Sequence, residues 1–301
     1  MDVRRLDLLR ELALRGSIAA VAQATHRTPS AVSQQLKVLE REAGTQLTEP
    51  AGRGIRLTSA GRRLAETATD VAIAIQKAEE VWDEFLETPS GEVSVTTFPS
   101  AGEMLLPGVV TKLASTPNLK LNLTDQDPRY GDYAELTPDY DIVLADSPLT
   151  STSWRERGVR IVTLMSEPLD VVVPAGHRLA EREFVRPADV IEETWIGAPV
   201  DYPFDRVLQS MQNETGKPAN VAQRFDDNGV VEAFVAAGLG IAILPRYTTR
   251  STKLVNIPLR SIRSQREISA LVRRDAYERL SVQLVMEALK SEAERISSQQ
   301  K

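Results

Sequence analysis

Cysteine is absent from this 301-residue chain, and histidine occurs only twice, as His26 and His177. Without a thiol there is no disulfide, no thiolate nucleophile and no Cys-ligated zinc or iron–sulfur centre. Neither histidine has a Ser–Gly elbow beside it or a second ligand at metal-binding spacing, and the neighbouring carboxylates Asp226 and Asp227 diverge along the chain. Catalytic and metal-binding constellations therefore lack their parts, and neither catalytic residues, metal nor cofactor is expected. No run of eighteen apolar residues exists, so no membrane-spanning helix is expected. The opening Met-Asp-Val-Arg-Arg is a charged helical start without the apolar core of a signal peptide, and a cytoplasmic location is the expectation. What is present is a length sufficient for two or three domains, with 42% hydrophobic residues, an ordinary value for a globular protein.

The densest local signals lie within residues 17–65. Ser17 is a good N-cap for a short helix over 18–25, and a turn follows at His26-Arg27. Thr28 caps the next helix, and Pro29 sits at its first position, where a missing N–H costs nothing. That helix is predicted to reach Ala43 and stop at Gly44, a natural residue for the left-handed turn past a helix end. Val32, Leu36, Leu39 and Ala43 recur at helical spacing and form a stripe to be buried. Ser30, Ser33, Gln34, Lys37 and Arg41 occupy the opposite face. Hydroxyls, an amide and cations on one helix face suit base edges and flanking phosphates. The run Gly52-Arg53-Gly54-Ile55-Arg56-Leu57 then reads as a tight turn and a short cationic strand, a wing.

These residues carry a family resemblance. Ser17, Ala19-Ala20, Ala22, the unbroken run from Thr28 to Leu36, Leu39-Glu40, Gly44, Leu47, Arg53 and Leu57-Thr58-Ser59-Ala60-Gly61 together resemble the DNA-binding head of LysR-type transcriptional regulators. Thr48 and Pro50 depart from it, standing where the family usually has Phe and Arg. The resemblance implies contact with double-stranded DNA, at an inverted-repeat operator, through Thr28, Pro29, Ser30, Ser33, Gln34, Lys37 and Arg53.

Charge is distributed to match. The chain carries a net −6, but residues 1–63 hold eleven Lys and Arg against six Asp and Glu, a balance of +5, leaving −11 for the remainder. A basic head on an acidic body is the pattern expected of a DNA reader, although +5 alone is also unremarkable for a small helical domain. Beyond the wing, Leu64, Ala68, Val71, Ile75, Ala78, Trp82 and Phe85 recur every 3.5 residues on average, the period of a coiled-coil seam. Such a stripe can pack within its own domain. In the family the equivalent helix links the domains and pairs two subunits, so the resemblance implies dimerisation through Leu64, Ala68, Val71, Ile75, Ala78 and Trp82, as a homodimer or homotetramer.

From Glu92 onward, short β-patterned runs alternate with amphipathic helices, as in a parallel or mixed sheet covered by helices. Strands are predicted separately at 159–164 and 169–173. The resemblance implies a body like the periplasmic binding proteins, with the chain crossing between lobes near 160–166 and returning near 261–266. The whole then reads as an α+β multi-domain protein: a winged helix-turn-helix (1–58), a long linker helix (59–87) and a two-lobed α/β effector domain (91–301). Lobe 1 comprises 91–163 and 262–301, and lobe 2 comprises 164–261.

A small-molecule effector is expected between the lobes, at the carboxyl ends of strands. Four loops are candidates, and from them Thr97, Ser100, Ala101, Asp127, Ala198, Tyr202, Phe204 and Asn228 are chosen as the effector-binding set. Ser100 could equally be a helix cap, and Tyr202 and Phe204 could be core plugs. The glycines at 238 and 240 lie between a helix and a strand, the wrong order for a dinucleotide loop. These loops contain no Lys or Arg, whereas Asp125, Asp127, Asp146, Asp201, Asp226 and Asp227 lie in or near them. An anionic ligand would then depend on backbone N–H groups. A neutral or cationic one seated against Tyr202 or Phe204 is an equal alternative, and so is a purely structural role for the aspartates in turns and caps. An architectural DNA-binding protein without an effector, or an enzyme built on the body, are the alternatives from other classes.

Overall fold

The computed structural model describes residues 1–51, 54–85, 91–127, 133–147, 159–200, 202–249 and 251–299. In the head, α1 (Val3–Arg15), α2 (Ile18–Ala24) and α3 (Pro29–Ala43) pack around one apolar cluster. Ser17 Oγ accepts from the Ala20 N–H at 3.1 Å, and Thr28 Oγ1 from the Ala31 N–H at 3.2 Å. Gly44 closes α3 with φ 68°, a conformation glycine adopts without a Cβ penalty. Val32, Leu36 and Leu39 are buried as their spacing predicts. β1 (Thr48–Ala51) and β2 (Gly54–Leu57) form the antiparallel wing. β1 was not anticipated from sequence. Its entry is held by Glu40, whose Oε1 accepts from the Leu47 N–H, the Thr48 N–H and the Thr48 hydroxyl, each at 2.9 Å.

α4 (Ser59–Phe85) leaves the head as a single 27-residue helix. Its first turns are not free to face a partner. Ala65 and Leu64 join the head core, Ala68 is buried, and α1 packs along them. The stripe therefore divides: Leu64 and Ala68 are internal, Val71 is half-buried, and Ile75, Ala78 and Trp82 are exposed.

The body follows with β3 (Gly91–Thr97), α5 (Pro99–Leu113), β4 (Leu119–Asp125), a 3-10 turn (Tyr133–Leu136) and β5 (Ile142–Ser147). β6 (Val159–Pro174), α6 (Pro187–Val190), β7 (Thr194–Gly197), α7 (Pro203–Thr215) and β8 (Asn220–Arg224) come next. α8 (Asn228–Ala236), β9 (Ala242–Pro245), β10 (Leu254–Ile257), β11 (Gln265–Arg273), α9 (Arg274–Tyr277) and α10 (Leu280–Gln299) complete it. In the first lobe β4, β3 and β5 run parallel, and β11 lies antiparallel between β5 and β6. α5 and α10 cover a core that includes Val93, Leu105, Leu144, Val285 and Leu289.

The two strands predicted on either side of Ser166-Glu167-Pro168 are one strand. β6 pairs with β11 as far as Pro168↔Gln265, then from Leu169 with β9 and β10. Proline, which donates nothing to a ladder, stands where the strand changes neighbours. In the second lobe β7 and β8 pair in parallel, and an isolated Trp195↔Ile241 bridge joins them to the β9 side of β6. Among the described residues no helix is long and apolar enough to cross a membrane.

Head and body touch within the chain. Arg10 of α1 pairs with Asp275 of α9, both mostly buried. Arg15 reaches Asp139 Oδ1 at 2.8 Å and the Pro138 carbonyl at 2.9 Å. Lys77 of α4 lies 3.5 Å from Glu278.

Candidate functional site

On α3 the side away from the core is open. Thr28, Pro29, Ser30, Gln34 and Lys37 are exposed, and Ser33 is half-buried. The Thr28 hydroxyl serves the backbone cap and lies 3.0 Å from Ser30 Oγ. Arg53 falls outside the described residues. Arg56 of the wing is paired with Glu49 at 2.7 Å.

Between the lobes the two crossings bring together residues far apart in sequence. Glu167 on β6 and Arg266 on β11 are both buried, with Arg266 Nε donating to Glu167 Oε2 at 2.8 Å. Arg266 Nη2 donates to the same oxygen and to Ser100 Oγ at 3.0 Å. Nη1 stands 3.6 Å from Asp146 Oδ2 at the end of β5. The guanidinium carbon lies 5.1 Å from the Phe98 ring and 5.6 Å from the Phe204 ring, joining the first lobe to the second. Tyr133 packs edge-on to Phe98 and donates its hydroxyl to Asp127 Oδ1 at 3.0 Å.

Burial governs the ionisation here. Desolvation pushes Asp146 up to about 6, and Glu167 and Asp127 add to the shift, while Arg266 opposes it. Burial would depress Arg266, but Glu167 and Asp146 more than offset that and hold its pKa above the usual guanidinium value. Tyr133 is pushed far up by burial, with Asp127 and Asp146 contributing.

Of the sequence-selected residues, Ser100, Asp127 and Phe204 meet in this cluster, and the electrostatic coupling of Tyr202 to Tyr133 places it alongside. Ser100 is not the helix cap. α5 begins at Pro99 without a side-chain cap, which leaves the hydroxyl to Arg266. Thr97 is buried with its hydroxyl donating to the Phe98 carbonyl, and Ala101 is in the first-lobe core. The Ala198 carbonyl accepts from Arg224, which also binds the buried Asp205 at 2.6 Å. Asn228 opens α8, but Asp227 is its cap, and no hydrogen bond joins Asn228 to the Arg266 cluster among the described residues. The site's cations were missed because Arg266 and Arg224 come from strands rather than from the loops searched. No group of three His, Asp or Glu side chains is placed to hold a metal ion among the described residues.

Two family models match the chain: "Bacterial regulatory helix-turn-helix protein, lysR family" over residues 3–62, and "LysR substrate binding domain" over residues 86–294. The chain belongs to the LysR family of transcriptional regulators. It is similar to the transcriptional dual regulator GltC of Bacillus subtilis (strain 168), at 28% identity over 86% of each chain. The fold is shared with HinK, a LysR family regulator from Pseudomonas aeruginosa, at 20% identity and a TM-score of 0.56, covering 96% of this chain and 99% of that one. It is also shared with full-length CbnR solved with its target DNA, at 21% identity and a TM-score of 0.54, covering 97% and 100%. This LysR-family protein is a DNA-binding transcriptional regulator with an effector-binding domain, not an enzyme.

Proposed function

We propose that two copies of this regulator read an inverted-repeat operator, each placing α3 in a major groove, in response to a small molecule held between the lobes. The open polar face of α3 carries this reading, opposite a buried stripe of Val32, Leu36 and Leu39. Thr28, Pro29, Ser30, Ser33 and Gln34 lie towards its N-terminal end for base and backbone contacts, and Lys37 and Arg53 serve phosphates. The exposed outer half of α4, with Ile75, Ala78 and Trp82, joins the copies into a homodimer or a larger even-numbered assembly. The effector site is the interlobe cluster around Ser100, Phe204 and Arg266. The location is the cytoplasm, where a regulator with a DNA-binding head meets its operator.

Selection of binding sites from a random duplex library with the full-length protein tests this. An inverted repeat is expected. Gln34→Ala should relax selection at one position of each half-site, at a cost of about 1–3 kcal/mol. Lys37→Ala should weaken all sequences alike and reduce the salt slope by about one. Recovery of no repeat, or an unchanged salt slope with Lys37→Ala, contradicts the proposal.

A further inference from the structure

Among the described residues, the centre of the interlobe cluster holds more negative charge than positive. Glu167 and Asp146 bring two carboxylates to it, against the one guanidinium of Arg266. That guanidinium is already committed, with Nε and Nη2 on Glu167 and Nη2 also on Ser100. Only Nη1 faces Asp146, across 3.6 Å. Asp146 is 8% exposed, and its Oδ1 is buried without a hydrogen-bond partner. Most buried side-chain polar atoms in folded proteins are paired, and although Thr96, Trp195, Thr248 and Ser269 also bury an unpartnered polar atom, Asp146 is the one carboxylate among them. Arg224, a second arginine near the cleft among the described residues, is occupied by Asp205 and the Ala198 carbonyl. Around the carboxylates stand the rings of Phe98, Tyr133 and Phe204. Aromatic faces attract cations and cover apolar groups equally well.

We infer that the effector is a small organic cation, an ammonium or guanidinium on an apolar body, whose N–H donates to Asp146 Oδ1. Its body lies among Phe98, Tyr133 and Phe204. This rests on the interlobe cluster being the effector site. A carboxylate effector would meet surplus negative charge and would have to take Arg266 from Glu167, a fully buried partner. A cation instead removes the surplus and completes the orphan oxygen. The walls of the site belong to two lobes joined by β6 and by the return into β11.

The test uses the full-length protein at pH 8, with 2-phenylethylammonium and agmatine as cations and 3-phenylpropionate and glutarate as anions, all at millimolar concentration. Calorimetric titration and thermal unfolding are the readouts. The cations are expected to bind and raise Tm in the wild type, and to lose at least tenfold in affinity in Asp146→Asn. Without ligand, Asp146→Asn should melt at or above the wild-type temperature, since it removes a surplus charge. A lower Tm for unliganded Asp146→Asn would mean that Asp146 serves Arg266, and the inference falls. It falls also if neither cation binds, a comparison on the wild type that needs no variant to fold. If the anions bind and Phe204→Ala abolishes that binding, the cleft is the effector site and the cationic class is wrong. If any probe binds equally well to wild type, Ser100→Ala and Phe204→Ala, the cleft reading itself is wrong.

Discussion

Trp82 on the outer half of α4 offers a quantitative test of the proposed subunit contact. It is 60% exposed within one chain, beside Val81 at 68% and one helical stretch beyond Ile75 at 41%. A tryptophan presents roughly 200 Å² for burial, so about 120 Å² of this one awaits cover. At about 25 cal/mol per Å², complete burial contributes about 3 kcal/mol per copy. A two-fold contact contains the residue twice, which sets a ceiling of about 6 kcal/mol for truncating both copies. Incomplete burial and the ordering of the side chain lower the realised share, and half the ceiling is a reasonable expectation. Trp82→Ala should then weaken self-association by about 100-fold. Ile75→Asp should act more strongly, because a carboxylate would be desolvated at the contact. Sedimentation velocity over a concentration series measures the effect, with circular dichroism to confirm folding and Glu66→Ala as a control of little consequence. Folded Trp82→Ala and Ile75→Asp proteins with wild-type mass at every concentration would refute the reasoning, and the contact would have to lie on the body.

Two further predictions concern ionisation. Because burial pushes Asp146 up to about 6, from about 3.9 in an unfolded chain, the folded state holds that proton more tightly. Its stabilising contribution is full below pH ~4 and is lost as pH rises through 6, amounting to about 3 kcal/mol by pH 8. Asp146→Asn should match the wild type near pH 4 and exceed its stability at pH 8. Chemical denaturation across that range would show parallel pH profiles for the two proteins if this is wrong. For the head–body contact, Asp275 lies below the usual carboxylate range: burial opposes this, but Arg273 and Arg10 outweigh it. That stability is present at neutral pH and lost as the medium becomes acid. Arg10→Glu should free the head from lobe 1, seen as faster amide exchange in α9, whereas Arg10→Lys, which keeps the charge beside Asp275, should retain most of the protection. Equal exchange in all three proteins would show that the contact does not hold the head.

The head was legible in the sequence because its signals are local. Ser17, Thr28, Pro29 and Gly44 each act on backbone within a few residues of themselves. The interlobe site was half legible. Ser100 and Phe204 were found as loop residues next to helix starts, yet the pair at its centre, Glu167 and Arg266, is separated by 99 positions and meets only through the register of β6 against β11. Read locally, Ser166-Glu167-Pro168 is a break, whereas the pairing on both sides makes it the middle of a strand. The period of α4 is real, but which neighbour covers Leu64 and Ala68 depends on α1, some fifty residues earlier in the chain.

That uninterrupted β6 has a consequence for what editing the chain can survive. Side chains along a strand alternate between faces, so adding or deleting one residue turns every later side chain over. Here a single deletion between Ser166 and Leu169 would leave one lobe's core in place and, in the other, move Val171 and Val173 to the face that Val172 now covers, exchanging them between two apolar clusters and shifting the register against β9 and β10. Surface loops elsewhere tolerate changes of length. This stretch is a ruler, and the separation and relative rotation of the two lobes are fixed by its count of residues.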